Sequence, residues 1–298
     1  MAALVIREEG KGMKFGVSYS TSHFGFDPDR IVAYARHAEA CGFEGLYLPE
    51  HLVLYPGARL YNVEVPPSLP FLDPLDTLAY VAAATERLLL GTGVLLLPYR
   101  HPVVLAKQLA TIDVLSKGRM RLLTVGLGTL PEEATATNVA FRTRGRRADE
   151  AIDVLRLLWE GGEEGVSFQG EFFSFDKLVQ FPKPYQSTTL PIHVGGSSQA
   201  AARRAGLRGD GYFPGGALVP EERVAQWELA RVTAKDAGRD PDSLEYTRWG
   251  GIDMTHEQFE AFAAQGVTRV VVSATASSPN EQRDELSRFA ERFVLEHP

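Results

Sequence analysis

The 298-residue sequence has one cysteine, Cys41. A lone thiol excludes an internal disulfide framework and a cysteine-based metal site. Its setting, Ala38-Glu39-Ala40-Cys41-Gly42, reads as a structural thiol at a helix end. Excess positive charge is missing as well: 31 Lys and Arg stand against 38 Asp and Glu, for a net charge of −7. Binding to nucleic acid or to an anionic membrane needs a cationic surface, so neither is an expected partner. No apolar run approaches the roughly 20 residues that span a bilayer, and Ala2-Ala3-Leu4-Val5-Ile6 is too short for a signal-peptide core. The expected location is the cytoplasm. Residues 1–12 precede Met13 and are expected to form a flexible extension to a single domain over 13–298.

Several chemical signatures are absent too. His23, His37, His101, His193 and His256 show no H-E-x-x-H spacing, so no metal is expected. A G-x-S-x-G nucleophile elbow does not occur. No similar segment repeats every 20 to 50 residues, which excludes a solenoid or propeller. Ser18-Tyr19-Ser20-Thr21-Ser22, after the first strand candidate, lacks the glycine triad of a dinucleotide turn. Gly126-Leu127-Gly128-Thr129-Leu130-Pro131 comes near that pattern later, with proline where the third glycine belongs.

What the chain does have is alternation. Short β-branched or aromatic runs at 14–19, 45–49, 88–97, 120–127, 191–194, 209–213, 245–252 and 268–273 are each followed by a segment of helical period. Asp27-Pro28 and Asp73-Pro74 supply an N-cap and a first-turn proline, and Cys41-Gly42 supplies a C-terminal glycine. Eight such units in 298 residues predict an α/β fold, a (β/α)₈ TIM barrel. The rhythm breaks over about 128–190. A helix near 146–159 and a hairpin-like alternation over 165–175 read there as an insertion in one βα loop, between strands four and five.

In a barrel, chemistry sits where strands end. Strand two ends in Pro49-Glu50-His51, and an imidazole there can give or take a proton near neutrality. The alternative is a histidine bonded to a neighbouring loop. Gly91 and Gly93 in strand three mark a bulge or a close backbone approach. Strand five runs through Gly195-Gly196-Ser197-Ser198 into a helix, the outline of an anion cradle, although a plain serine-capped turn has the same pattern. Arg203 and Arg204 follow on that helix within reach of an anionic tail. Gly209-Asp210-Gly211 and Gly215 form a second glycine-rich strand end. Tyr19, His23, Tyr55, Tyr61 and Phe71 are candidates to line a largely apolar substrate pocket.

Taken together, the sequence resembles the luciferase-like monooxygenase family, in particular its F420-dependent oxidoreductase branch. The resemblance rests on Pro49-Glu50-His51, Asp73-Pro74-Leu75, the run 90–98, His101-Pro102, Ser116-Lys117-Gly118-Arg119, Arg144-Gly145-Arg146-Arg147, Pro182-Lys183-Pro184 and Pro191-Ile192-His193-Val194-Gly195-Gly196. It implies a homodimeric barrel enzyme that acts on a small molecule and carries F420, or alternatively FMN, in its mouth. It further implies a non-prolyl cis peptide at Gly93-Val94 beneath the ring, phosphate contacts from Gly195, Gly196, Ser197, Ser198 and Gly215, and His51 near the ring, with Glu50 beside it as the second catalytic candidate. Gly128 and Thr129 fall where the branch often places a glutamate or tryptophan at the cofactor, and a threonine hydroxyl does not ionise at neutral pH. Two rival functions follow: an FMN-dependent monooxygenase, and a protein that binds F420 or flavin without catalysis.

Overall fold

A computed structural model describes residues 12–60, 62–215 and 218–295. Most of the expected N-terminal extension, residues 1–11, lies outside these, as does Tyr61. Eight strands form the frame: β1 (Lys14–Ser18), β2 (Gly45–Leu48), β3 (Leu89–Leu96), β4 (Leu122–Gly126), β5 (Ile192–Gly195), β6 (Gly211–Phe213), β7 (Glu245–Trp249) and β8 (Arg269–Val272). Each pairs in parallel with its sequence neighbours, and β1 pairs with β8 to close the barrel. The expected TIM barrel is therefore the observed fold.

Eight helices wrap it: α1 (Pro28–Ala40), α2 (Pro74–Ala84), α3 (Pro102–Leu115), α4 (Arg144–Glu160), α5 (Gln199–Arg208), α6 (Pro220–Asp236), α7 (His256–Ala264) and α8 (Pro279–Phe293). The expected starts hold at atomic detail. Asp27 accepts from the Arg30 amide at 3.0 Å, and Asp73 accepts from the Leu75 amide at 2.8 Å. Gly42 takes the left-handed conformation, φ +84°, after α1. Apolar helix faces and outward strand residues make one large core, with Trp159 of α4 buried in it and its indole N–H bonded to Ala106 O.

Within 128–190, α4 is the barrel's fourth wall helix, burying Ala148, Ala151, Ile152, Leu155 and Leu158. The hairpin, Val166–Gln169 with Ser174–Leu178, belongs to the connection from α4 to β5 and not to a βα loop. Glu150 holds its tip by accepting from the amides of Glu171, Phe172 and Phe173.

Side chains fill the barrel's interior. Tyr47, Leu122, Phe213 and Val271 pack together at mid-height. Tyr47 fits because the strands beside it are bare: a Cβ at Gly16 would lie 2.9 Å from its ring, and one at Gly91 3.2 Å. The lower end is closed by ions. Arg269 pairs with Glu44 at 2.5 Å and with Glu245, whose carboxylate lies 3.3 Å from His193 Nε2. Burial pushes the His193 imidazole down, so it stays neutral among these charges. The opposite, C-terminal end of the strands is where barrel enzymes hold their ligands.

Candidate active site

The mouth is shaped by an irregularity in β3. The ladder between β3 and β4 passes from Gly93–Thr124 to Leu95–Val125, so Val94 is an unpaired extra residue. The Gly93–Val94 peptide is cis, as the resemblance implied. Val94 wedges sideways between the neighbouring strand ends. A Cβ at Gly126 would lie 2.4 Å from Val94 Cγ2, and one at Gly195 2.5 Å from Val94 Cγ1. Both glycines make room for this valine. Gly93 differs: a Cβ there would meet nothing closer than Tyr47 Cβ at 3.6 Å and Trp249 Cη2 at 3.8 Å. Protein packing does not require glycine at that point.

Glu50 and His51 are adjacent in sequence and separate in role. Glu50 is buried, and one oxygen accepts from the Leu96 amide at 2.5 Å while the other pairs with Arg100. Arg100 also reaches Asp73 at 2.5 Å, the residue that caps α2. Burial pushes the Glu50 carboxyl up, and Arg100 and the Leu96 amide pull against it. Both its oxygens are committed to the protein, so this carboxylate ties β2, β3 and α2 together.

His51 faces a different carboxylate. Its Nδ1 lies 3.3 Å from both oxygens of Glu133, whose side chain has no exposed surface. One of those oxygens also accepts from the Leu52 amide at 2.8 Å. The Phe71 ring stands edge-on to the imidazole with centroids 4.9 Å apart, pressing it from the 52–72 loop. No described residue bonds to Nε2. Glu133 sits on the short helix Pro131–Ala136 that follows β4. Nearby, burial and then Glu133 push the Tyr99 hydroxyl up to about 12, so it stays neutral. The Tyr99 ring occupies the space a Cβ at Gly128 would need, 2.7 Å away, and Gly128 takes φ +75°. Thr129, next along, is exposed.

At the end of β5, Ser198 caps α5 by accepting from the Ala201 amide at 3.2 Å. The exposed turn before it is pinned from below. The Tyr212 hydroxyl donates to Gly196 O at 2.9 Å, Gln226 Nε2 donates to Ser197 O at 3.2 Å, and the Ser197 hydroxyl donates to Gly215 O at 2.6 Å. Gly196 takes φ +123°, and the amides of Ser197 and Ser198 in this exposed turn donate to no described residue. Gly215 has nothing within 3.6 Å of where a Cβ would stand. A Cβ would therefore find ordinary contact distances at Gly93 and Gly215, whereas the space beside Gly195 and Gly128 is occupied by Val94 and Tyr99.

The profile of the luciferase-like monooxygenase family matches residues 13–286. The chain belongs to this family. Among curated relatives, an F420-dependent hydroxymycolic acid dehydrogenase of Mycobacterium tuberculosis is 36% identical over 234 residues, covering 77% of this chain and 60% of the relative. An F420-dependent glucose-6-phosphate dehydrogenase of Microbacterium testaceum is 33% identical over 214 residues, covering 70% of this chain and 58% of the relative. The matches thus span about three-fifths of these two relatives' lengths. A monooxygenase structure from Streptomyces bottropensis superimposes with a TM-score of 0.73 at 22% identity, covering 95% of this chain and 99% of that one.

In this luciferase-like protein, His51, Gly93, Val94, Gly128 and the turn around Ser197 each lie at or just beyond the C-terminal part of one of the successive strands β2 to β5. Three further sequence-based candidates have partners within the protein. Tyr19 is buried, its hydroxyl bonded to Gly25 O at 2.9 Å and its ring packed on Phe24 and Tyr34, and it lines a cleft with Arg30, Tyr34 and Gln282. Arg204 is buried against Asp149, 2.6 Å away, and is turned from any anionic tail. Arg203 is exposed and bonds to Gln199. The residue that sequence reasoning missed is Glu133. It stands in Pro131-Glu132-Glu133, which reads as an acidic first turn of a helix and carries no spacing relation to His51.

Proposed function

We propose that this protein is an F420-dependent oxidoreductase that passes hydride between the deazaflavin and a small organic substrate. The observation that carries the reading is the open face at Gly93, beside the Val94 wedge and within the mouth that holds His51, in a chain whose relatives at 36% and 33% identity are named as F420-dependent. A Cβ at Gly93 would make only ordinary contacts, at 3.6 Å and beyond, so packing leaves this position free to be glycine for the close approach of a planar ring. Gly93 and Val94 would support that ring. The amides of Ser197 and Ser198, with Gly196 and Gly215 beside them, would hold the phosphate, because a helix start offers unpaired N–H groups and partial positive charge.

When bound, the deazaflavin supplies a hydride donor or acceptor at its C5. The protein's own work is positioning and proton handling. His51 Nε2 is the group available to exchange a proton with substrate, and Phe71 holds the imidazole in place. Glu50 acts from a distance, fixing the strand ends through Arg100 and the Leu96 amide. Thr129 is exposed at the rim and contributes no ionising group there. Titrating the purified protein with F420 and, separately, with FMN while following absorbance tests the reading. Saturable F420 binding supports it, and tight FMN binding without F420 binding overturns it.

A further inference from the structure

We propose that Glu133 is the positioning residue that fixes the proton on His51. It holds the imidazole as its Nδ1–H tautomer, so that Nε2 is the proton acceptor turned to substrate. The inference rests on the proposed role of His51, but the geometry behind it needs no cofactor. A carboxylate has only acceptor sites, so an imidazole nitrogen 3.3 Å from both of its oxygens must carry the hydrogen there. The two residues are 82 positions apart, and Glu133 is wholly enclosed by protein. Its Oε1 also takes the Leu52 amide, the residue next to His51, so one oxygen fixes both the backbone and the ring. The other ring nitrogen then keeps a lone pair, and in a neutral imidazole it can only accept.

In the direction that oxidises a hydroxyl-bearing substrate, the O–H proton passes to His51 Nε2. The adjacent C–H bond would give up its electron pair as hydride, for which the bound oxidised deazaflavin would supply the acceptor, and the substrate carbon would become a carbonyl. His51 is then a cation beside the Glu133 anion, which stabilises the charge as it forms. Reduction of a carbonyl runs the same transfers backwards, with Nε2 returning the proton.

An isosteric change separates this role from plain packing. In E133Q the remaining oxygen can keep the Leu52 amide, leaving the NH₂ group toward Nδ1. An amide donor there requires Nδ1 to accept, so the ring proton moves to Nε2 and the base is lost. Nitrogen-15 NMR of histidine-labelled, cofactor-free protein reads the tautomer directly at high pH, where imidazole is neutral, with the His51 signal assigned by its loss in H51N. The expected result is Nδ1–H in the wild type and in E133D, and Nε2–H in E133Q. With F420 and substrate, kcat of E133Q should fall by about 100-fold or more with KM little changed, and E133D should recover most of it. A wild-type His51 carrying its proton on Nε2 overturns the proposal. The wild-type spectrum decides alone should E133Q not fold. Tautomer inversion in a protein that fails to bind F420 upholds the role of Glu133 and removes the cofactor reading instead.

Discussion

Gly195 has the look of a ligand-binding glycine, yet its nearest demand comes from Val94, and a double-mutant cycle measures that demand. In G195A the new methyl would sit 2.5 Å from Val94 Cγ1, against an ordinary carbon contact of about 3.5–4.0 Å. Val94 must therefore retreat by about 1 Å. Its other methyl packs over Gly126, so Val94 is flanked on both sides by the neighbouring strand ends and its retreat is confined. Overpacking of this kind costs about 1–3 kcal/mol, partly offset by the lower backbone entropy of alanine. At about 2–4 °C per kcal/mol for larger domains, the melting temperature should drop by about 2–12 °C. V94A removes both methyls that collide. Adding G195A to V94A should therefore cost less than about 0.5 kcal/mol, within the limit for uncoupled sites. Thermal melts of the four proteins without cofactor supply the cycle. An equal cost of G195A in both backgrounds would show that the glycine is not there for the valine.

Two further outcomes follow from the same geometry and from the helix caps. G93A should melt within about 2 °C of wild type, since its Cβ makes only ordinary contacts at 3.6 Å, while F420 affinity falls at least about tenfold by fluorescence titration. A G93A protein that binds F420 normally would remove the ring from that surface. Glu39 accepts the amides of Glu86, Arg87 and Leu88 at 2.6–2.9 Å, which ends α2 at Ala84. Burial pushes its carboxyl up, but the three amides and the Arg87 charge together hold it below its ordinary value of 4.5. A folded value below the unfolded one gives stability that is present above 4.5 and lost as the pH falls through the folded value. E39Q should thus be less stable than wild type at pH 7, by no more than about 1 kcal/mol once solvent screening is allowed for, with the gap closing in urea melts as the pH falls below the ordinary carboxylate value. A gap that persists in acid would mean that charge is not its origin.

The barrel was legible because each strand announces itself: runs such as Arg269-Val270-Val271-Val272 are buried on both faces, and Asp-Pro caps mark where α1 and α2 begin. What sequence could not show is which neighbour a residue answers to. Glu50 and His51 share a dipeptide, but partners 50 and 82 positions away divide them into a structural carboxylate and a free-edged imidazole. A glycine looks the same whether it makes room for Val94, as Gly126 and Gly195 do, or leaves bare surface, as Gly93 and Gly215 do. The position after Gly128 holds Thr129, and the buried acid, Glu133, stands four residues on. The hairpin's alternation was readable, but its attachment below α4 depended on that helix joining the wall, which its buried Ile152, Leu155 and Trp159 bring about.

The most direct measurement is a crystal structure of the protein soaked with F420. The ring should lie on Gly93 and Val94 with His51 at its edge, and the phosphate on the Ser197 and Ser198 amides. Deazaflavin density anywhere else, or FMN occupying the mouth in its place, would contradict the reading.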